Sequence, residues 1–539
     1  MKLRQRVLIT ISGIVFLVIF YVAIYPIPIT FEIDRTNSLL NSSSRDASKI
    51  DNSKVQWVHM SPLRKRLNKS NYSSDNISPE GERNRKELTK SKKAELLHNG
   101  SATQSGPKSN SKSINLSSNH SSENSTLNKD SVVEELIQLL SELNKEKFNF
   151  TYSRKHGYNK FVRSHRKRKR RKGFGLPVYR NYGGFHLSSW EKFHKGIQQY
   201  ALYDPDDRAI DELLYDMANQ PIVDVEMKEG GTQLKLIFTF LDEGQALFKP
   251  MRHPRDQETL PDHFYFVDFE RHNAEIASFH LDRILGFYRV PPTVGRLVNI
   301  TRDIHRLADN KLAKTIFLSP ANNICFHGSC SYYCDTSHAV CGSPDVLEGS
   351  FAAFIPPERI AARKTWRNPW KRSYSKHRKA YWEIYDDLCD KIRERPPYNN
   401  GRRLLDVMDM HIFDFLTGNM DRHHYETFSD FGNETFPIHM DQGRAFGKSK
   451  TDEMSILLPL YQCCLIRYST LTKLIHFYIG PHKLSDRMKL SLSKDPLNPI
   501  LTEGHLNALD RRVIKILQTL YECIKVHRTH AEVIVDDYI

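Results

Sequence analysis

Four side chains that lie far apart in the chain are of the types that phosphoryl transfer requires: Lys249, Glu270, Asp421 and Asp441. An ammonium group can bind phosphate oxygens, and a carboxylate can bind a divalent metal ion. A second carboxylate can accept or orient the proton of an attacking hydroxyl group. Because phosphoryl transfer depends mainly on positioning and on charge neutralisation, these four residues form a candidate catalytic set.

The lysine lies at the end of a predicted β-hairpin. Alternating apolar residues predict the first strand: Leu234, Leu236, Phe238 and Phe240. Asp242–Gly244 supplies the turn and Gln245–Lys249 the returning strand. Lys249 would then reach phosphates lying under the hairpin turn. The segment has no G-x-G-x-x-G loop of the kind found in ordinary protein kinases, although the order lysine, glutamate, aspartate, aspartate is theirs.

The candidate glutamates come next, around a predicted helix Phe269–Leu285 for which Asp268 is the expected N-cap. Glu270 and Glu275 both fall in its first turns, where the helix dipole favours carboxylates. One of them could pair with Lys249 or bind a metal ion. Five residues of separation place them on different faces, and the sequence leaves the choice open.

Asp421 and Asp441 flank a second predicted core segment. A stripe of apolar side chains predicts a buried helix ending at Gly418: Leu404, Leu405, Met408, Ile412, Phe415 and Leu416. Asp421 follows on a loop, and Asp441 ends a predicted strand, 436–440. Glu426 stands where ordinary kinases place a metal-binding asparagine. His423 and His424 are interpreted as loop packing or nucleotide neighbours.

The basic excess of the chain is confined to its N-terminal third. Residues 1–172 contain 33 Lys and Arg against 15 Asp and Glu, whereas residues 173–539 contain 46 against 48. The predicted folded part is thus nearly neutral, which argues against a nucleic-acid-binding domain. An apolar run at 7–25 follows a basic stretch, 1–6, and predicts a signal anchor with a cytosolic N-terminus. A cleaved signal peptide is the alternative.

Residues 26–172 are predicted to form a disordered, glycosylated lumenal stem, since the stretch is rich in Ser and Asn and poor in apolar residues. A helix is predicted at 131–146, either for dimerisation or docking or lying on the domain. The basic run 164–172 predicts a proteolytic processing site, a polysaccharide- or membrane-binding patch, or a solvated linker. Asn299 and Asn433 are glycosylation sequons within the folded part.

All eight cysteines lie between 325 and 523, which predicts a disulfide framework in an oxidising compartment. A zinc site at Cys325, Cys330, Cys334 and Cys341 is the weaker alternative because their spacing lacks two close Cys-x-x-Cys pairs. Cys463 and Cys464 are each expected to reach a distant partner. Strands precede helices along the folded part, so we predict an α+β fold with a strand-rich N-lobe, 173–345, and a helical C-lobe, 346–539.

Beyond these patterns, the stretch from about 231 to 525 resembles the Golgi casein kinase family of secretory-pathway serine/threonine protein kinases. The matching runs are GTQLKLIFTF, GQALFKPM, FERHNAEIASFHLDRILGFYRVPP, NNICFHGSCSYYC, KTWRNPWKRSY, GNMDRHHYETF and LYQCC. The resemblance implies an atypical two-lobed protein-kinase-like fold that binds ATP with Mn²⁺, or Mg²⁺ as the alternative, between its lobes.

The family's roles carry over to matching positions. The implied ATP contacts are Gln233, Lys249, Glu426, Asp441 and the hinge residues Ala353, Phe354, Ile355 and Pro356. The implied metal ligands are Glu270 and Asp441, and the implied catalytic residue is Asp421. The implied disulfides are Cys325–Cys341, Cys330–Cys334, Cys389–Cys463 and Cys464–Cys523. The family also has a pseudokinase branch that lacks the metal-binding glutamate; Glu270 is present here.

Substrate and location follow as expectations of the same resemblance. The chain resembles the branch that phosphorylates serine in Ser-x-Glu motifs of acidic secreted proteins more than the branch that phosphorylates proteoglycan xylose. Basic residues that could receive an acidic substrate group are Arg252, Arg255, Lys371 and Arg372. A catalytically silent activator of a sister kinase is the rival interpretation. We expect a type II Golgi membrane protein, anchored through its N-terminus, released into the lumen or medium by cleavage, and forming a homodimer or a heterodimer with a related pseudokinase.

Overall fold

The computed structural model describes residues 131–138, 175–179, 187–527 and 533–535. The predicted anchor, 7–25, and the basic run, 164–172, lie outside these ranges. Within them, every helix is too short or too polar to cross a bilayer.

The secondary-structure elements divide into a strand-rich and a helix-rich group. Those of the N-lobe, in chain order, are α1 (Ser189–Gly196), α2 (Arg208–Asn219), β1 (Ile222–Met227), β2 (Leu236–Phe240), β3 (Gln245–Pro250), α3 (His272–Leu285), β4 (Thr293–Asn299), α4 (Asn310–Ala313), β5 (Phe317–Leu318), β6 (Ile324–Phe326), β7 (Val340–Cys341) and β8 (Val346–Ala353). Those of the C-lobe are β9 (Arg363–Arg367), α5 (Leu388–Arg393), α6 (Arg403–Thr417), β10 (His424–Phe428), α7 (Leu458–Cys463), β11 (Ile466–Arg467), α8 (Tyr468–Ile479), α9 (Leu484–Leu492), α10 (Glu503–His527) and β12 (Ile534–Val535).

The N-lobe is built on an antiparallel sheet with the strand order β1-β2-β3-β8-β4. The predicted hairpin is confirmed, because β2 pairs with β3 and Leu236 lies opposite Phe248. The inward residues of the central strands form an aromatic core in which the ring centroids of Phe238, Phe248 and Phe351 are 5.0 Å apart pairwise. Period-two burial thus holds the strand that carries Lys249 rigidly in place.

The sheet extends beyond the lobe boundary that the sequence suggested between residues 345 and 346. Strand β8 pairs with both β3 and β4 and ends at Ala353. The change from sheet to helical structure therefore follows Ala353, which places the predicted hinge at the junction of the lobes.

Helix α3 begins later than predicted, at His272 instead of Phe269, and its N-cap is Arg271 rather than Asp268. The Asp268 carboxylate is used elsewhere, since it accepts hydrogen bonds from the Thr259 hydroxyl (2.8 Å) and the Arg271 guanidinium (3.1 Å). As a result Glu270 lies in an extended segment before the helix, whereas Glu275 lies on its first turn.

The C-lobe is centred on α6, which the apolar stripe predicted correctly. Nearly all of its side chains are buried, and it ends where Gly418 adopts a left-handed conformation (φ 73°). The prediction of a strand at 436–440 is wrong. Only Ile438 bridges to Glu426, because Pro437 has no N–H to donate to a ladder.

Four disulfides are formed, and no cysteine is free among the described residues. Their pairing is the one implied by the family resemblance, and it leaves no zinc site in the first cluster: Cys325–Cys341, Cys330–Cys334, Cys389–Cys463 and Cys464–Cys523. Cys463, at the end of α7, bonds to α5, whereas its neighbour Cys464 bonds to α10.

Part of the predicted helix 131–146 is described, as a helix over 131–138. Val133 and Leu136 are fully buried in the main hydrophobic core. The Tyr521 hydroxyl of α10 donates a hydrogen bond to the Glu135 carboxylate. So short a helix is marginal alone in water, and these contacts favour the interpretation in which it lies on the domain.

Candidate active site

Lys249 lies at the end of β3 and is almost fully buried. Its Nζ atom is 2.6 Å from Asp441 Oδ1 and 2.8 Å from Glu270 Oε2, and it also contacts Glu275 Oε1. Burial alone would lower the pKa of this lysine, but Asp441, Glu270 and Glu275 together hold it well above its usual value. The ammonium group is therefore a fixed positive charge inside the cleft.

The two glutamates that the sequence could not separate both contact Lys249, from different elements. Burial raises the pKa of Glu275 above its usual value. Burial acts on Glu270 in the same direction, but the charges of Lys249 and Lys235 and the hydrogen bond from Lys249 together outweigh it, and the pKa of Glu270 is lowered. The lowered pKa of Glu270 favours its ionised form, which is the form that a metal ligand requires.

Gln233 positions Glu270. Its side-chain oxygen accepts a hydrogen bond from Glu270 N (2.7 Å), and its Nε2 donates to Asp268 O (2.7 Å). The amide is buried in this role. Its contact to ATP stays a prediction. In the structure, the Gln233 amide holds the backbone segment that carries Glu270 through these two hydrogen bonds.

Asp441 closes the cluster from the C-lobe side. It has a left-handed backbone (φ 59°), and its side chain is 57% exposed in the cleft. Desolvation opposes ionisation, but Lys235 and Lys249 more than compensate and lower the pKa of Asp441. A Cβ atom at Gly443 would stand 2.8 Å from Glu270 Cβ, so this glycine allows the approach of the two acidic segments.

Lys235 is a member of the cluster that the sequence analysis missed. Its Nζ lies 3.3 Å from Glu270 Oε1 and 3.6 Å from Asp441 Oδ1. The pairing register of the predicted hairpin could have identified Lys235. With Leu236 opposite Phe248, residue 235 must lie beside residue 249.

The loop that contacts the cluster, through Gln233 and Lys235, is the β1–β2 connection, 228–235, and not the hairpin turn predicted from the sequence. The turn at Asp242–Gly244 lies at the opposite end of β3 from Lys249. Gly230 and Gly231 both have φ 77°, and a Cβ at either would meet no atom within 4 Å. The connection is therefore a glycine loop with open space around it, of the kind that lets backbone N–H groups approach phosphates.

Asp421 lies on the loop after α6, and its carboxylate pairs with Arg444. The Arg444 guanidinium also donates to Asp268 O (3.2 Å) and to the Thr232 hydroxyl (3.2 Å). His423 Nδ1 is 3.2 Å from Asp421 Oδ1. Arg444, which the sequence analysis did not single out, links the candidate catalytic aspartate to both the Glu270 segment and the glycine loop.

The predicted hinge follows β8. Phe354 O accepts a hydrogen bond from a ring nitrogen of His194 (2.8 Å), and Pro356 O accepts one from Arg363 (2.8 Å). Arg363 also pairs with Glu426 (2.9 Å). A cavity of about 690 Å³ lies against this segment and is lined by Ile237, Phe354, Ile355 and Arg363 among others. The cavity also borders the hairpin turn at Asp242–Gly244.

The remaining predicted residues, except Lys371, lie away from this cleft or are already paired. Arg255 pairs with Glu348, and Arg372 lies 3.5 Å from Glu453. Arg252 donates to the backbone oxygens of Tyr333 and His338. Asn433 is exposed, while Asn299 ends β4 and donates to Asp345 (2.8 Å).

The cluster fits a divalent ion in part. Glu270 Oε2 is buried and makes no hydrogen bond of acceptable geometry, although Lys249 is close. Two ionised carboxylates, Glu270 and Asp441, face the same space. The residues described include no group of three or more such side chains arranged as a metal cage. This agrees with a site that is completed by phosphate oxygens and water, as in phosphotransferases.

These features together define the protein-kinase-like class of fold, in an atypical, disulfide-linked form. They are the sheet lobe, the hinge, the helical lobe, the lysine–glutamate pair and the aspartate of the catalytic loop. A family model described as "Golgi casein kinase, C-terminal, Fam20" matches residues 188–532. The chain belongs to this Fam20 family of Golgi casein kinases.

Individual relatives agree. The chain is 59% identical over 338 residues to "Extracellular serine/threonine protein CG31145" of Drosophila melanogaster, covering 63% of this chain and 64% of that protein. It is 58% identical over 350 residues to human "Extracellular serine/threonine protein kinase FAM20C", covering 65% and 60%. The chain thus spans less than two thirds of the length of these relatives. A solved structure titled "crystal structure of the Golgi casein kinase with Mn/ADP bound" superposes with a TM-score of 0.68 at 44% identity, covering 75% of this chain and 92% of that one.

Proposed function

We propose that this protein is a secretory-pathway protein kinase that transfers the γ-phosphate of ATP to serine in Ser-x-Glu motifs of secreted proteins. The observation that carries the proposal is the link that Arg444 makes between Asp421 and the backbone of the segment carrying Glu270, at Asp268 O. Nucleotide binding and acceptor activation require these two groups of residues side by side. The names of the relatives support the same activity.

In this proposal each residue has one task. Lys249 binds phosphate oxygens and is oriented by Glu275, while the hinge and Glu426 border the base and sugar. Glu270 and Asp441 would hold Mn²⁺, or Mg²⁺, which neutralises phosphate charge when it is bound. Asp421 accepts the proton of the serine hydroxyl as its oxygen bonds to the γ-phosphorus and the bond to the β-phosphate oxygen breaks, releasing ADP.

The decisive test compares two acceptors. The full, oxidised chain with Mn²⁺ and labelled ATP is expected to phosphorylate a Ser-x-Glu peptide and not a xylose-containing proteoglycan linker, and Asp421→Asn is expected to lose this activity. Labelling of the glycan alone would make the chain a xylose kinase. If neither acceptor is labelled and the chain instead stimulates a related kinase, it is a pseudokinase-type activator.

For location we propose a type II Golgi membrane protein, with an anchor at 7–25, a glycosylated stem at 26–172 and the lobes in the lumen. The family description and the extracellular names of the relatives support a secretory location. A C-terminal tag on the full chain is expected to resist protease in intact vesicles, and medium is expected to contain a form that begins near residue 172. Digestion of the tag in sealed vesicles would contradict the topology, and a full-length secreted chain would contradict the cleavage.

For assembly we propose a homodimer or a heterodimer with a related pseudokinase. Light scattering of the full chain, with and without a purified pseudokinase relative, would detect either form as a doubled mass, and a monomer in both samples would contradict it.

A further inference from the structure

Five cations form what we call the basic face: Arg367, Lys371, Lys376, Arg378 and Lys379. Lys371 is half-buried and the other four are exposed. None of the five forms an ion pair with a described carboxylate, whereas Arg363 and Arg444 are paired with Glu426 and Asp421.

The next acidic side chains along the chain are Glu383, Asp386 and Asp387, and none of them forms an ion pair with the basic face. Glu383 accepts a hydrogen bond from the backbone N–H of Ala380, and Asp387 pairs with Lys391 (2.8 Å). The cations also act on one another. Burial and the charge of Arg367 lower the pKa of Lys371, and burial, His423, Lys371 and Arg367 lower the pKa of His424. Crowded positive charge without a counter-charge favours an anionic ligand.

The basic face begins next to the candidate catalytic aspartate. Lys371 Nζ lies 4.1 Å from the centre of the Tyr374 ring, and that ring is 5.6 Å from the ring of His423. His423 in turn contacts Asp421. The face therefore starts at the place where an acceptor hydroxyl would bind.

From there the face continues outward along an ordered segment. Tyr374 packs against Phe266 of the N-lobe at 4.9 Å between ring centroids, and the Tyr265 hydroxyl donates to Ser373 O (3.0 Å). Lys376 Nζ lies 5.7 Å from the centre of the Phe264 ring. These contacts fix the segment across the mouth of the cleft, so a chain leaving the acceptor position would run along it.

We propose that the basic face is a docking surface for an acidic polypeptide segment of the substrate, beyond the residues that flank the acceptor serine. The proposal rests on the proposed function. Of the four basic residues named from the sequence, it keeps Lys371. Arg252, Arg255 and Arg372 are left out because their guanidinium groups have partners within the domain, and Arg367, Lys376, Arg378 and Lys379 are added. A peptide is favoured over a polysaccharide because the face is continuous with the candidate acceptor site.

The test is a binding measurement that needs no phosphoryl transfer. A fluorescent peptide with one Ser-x-Glu motif followed by a Glu-rich segment is titrated with the full chain and with the triple variant Lys376→Glu, Arg378→Glu, Lys379→Glu. The Kd is expected to rise about tenfold or more in low salt, because three attractive charges become repulsive. The difference is expected to shrink as salt screens the charges.

A matched control reverses three equally exposed cations around α9: Lys483→Glu, Arg487→Glu and Lys494→Glu. This variant is expected to bind the peptide like the wild type. The proposal is overturned if the first variant binds normally, if both variants weaken binding equally, or if a heparin oligosaccharide binds wild type more tightly than the peptide and loses this binding in the first variant.

Kinetics separate this proposal from the proposed function. The ratio of kcat/KM for the long peptide to that for a short Ser-x-Glu peptide is expected to fall about tenfold in the first variant. If neither peptide is phosphorylated while the binding differences persist, the kinase function fails and the docking surface stands. Equal kcat/KM losses for both peptides would overturn the docking surface while leaving the kinase intact.

Discussion

Replacing Asp441 with asparagine is expected to lower peptide phosphorylation by about 10³-fold or more, because the change removes one of two ionised carboxylates that face the proposed metal position. Loss of roughly 4 kcal/mol of charge stabilisation in the transition state corresponds to that factor. The amide has nearly the same shape as the carboxylate, so the substitution tests charge. It also removes one carboxylate partner of Lys235 and Lys249, whose remaining acidic partners are Glu270 and Glu275.

Calorimetry of Mn²⁺-dependent ADP binding and steady-state kinetics would measure the two consequences separately. Asp430→Asn is the matched control, since Asp430 is an exposed carboxylate of the same lobe outside the cleft, and it is expected to behave like the wild type. Near-ultraviolet circular dichroism checks that the variant is folded. Unchanged Mn²⁺-dependent binding in Asp441→Asn would show that this carboxylate is not a ligand.

Replacing Arg444 with methionine is expected to lower kcat by about 10²-fold while leaving the Kd for ADP with Mn²⁺ within a few-fold of wild type. Its guanidinium holds Asp421 and also bonds to Asp268 O and to Thr232. The variant would therefore lose the orientation of the proton acceptor relative to the glycine loop. The separation of kcat from nucleotide affinity distinguishes this positioning role from general destabilisation.

Two comparisons sharpen the Arg444 experiment. Lys448 lines a pocket together with Asp421 and Arg444, but its Nζ donates to Pro261 O. Lys448→Met therefore removes a neighbouring cation and is expected to retain kcat. Arg444→Lys keeps the charge without the forked geometry and is expected to fall between methionine and wild type. Full kcat in Arg444→Met would mean that the pair with Asp421 contributes nothing to turnover.

The sequence predicted the parts of the site that depend on local periodicity. The hairpin carrying Lys249 and the helix ending at Gly418 follow from repeated apolar positions and one glycine. Their success reflects a property of cores, in which burial on one face imposes a regular spacing.

The errors occur where tertiary contacts override local preference. Asp268 has the side chain of an N-cap, but Thr259 and Arg271 engage it, and α3 begins later. The sequence analysis assigned the wrong loop to the cluster, the hairpin turn instead of the β1–β2 connection, because that connection has no G-x-G-x-x-G pattern. Arg444 stands three residues after Asp441, and no local rule identifies a guanidinium that reaches back to the preceding loop. The separate contacts of Glu270 and Glu275 with Lys249 likewise required the fold.

The vicinal cysteines make two distant helices depend on one dipeptide. Cys463 closes a loop with a sequence separation of 74 and Cys464 one of 59. Each closure lowers the conformational entropy of the unfolded chain, which stabilises the folded state by about 4 kcal/mol. Thiol-reducing conditions would open both at once and release α5 and α10 from the same point. Recombinant protein made in an ordinary bacterial cytosol would therefore lack both restraints, and inactivity of such a preparation would report on its oxidation state and say nothing about the catalytic groups.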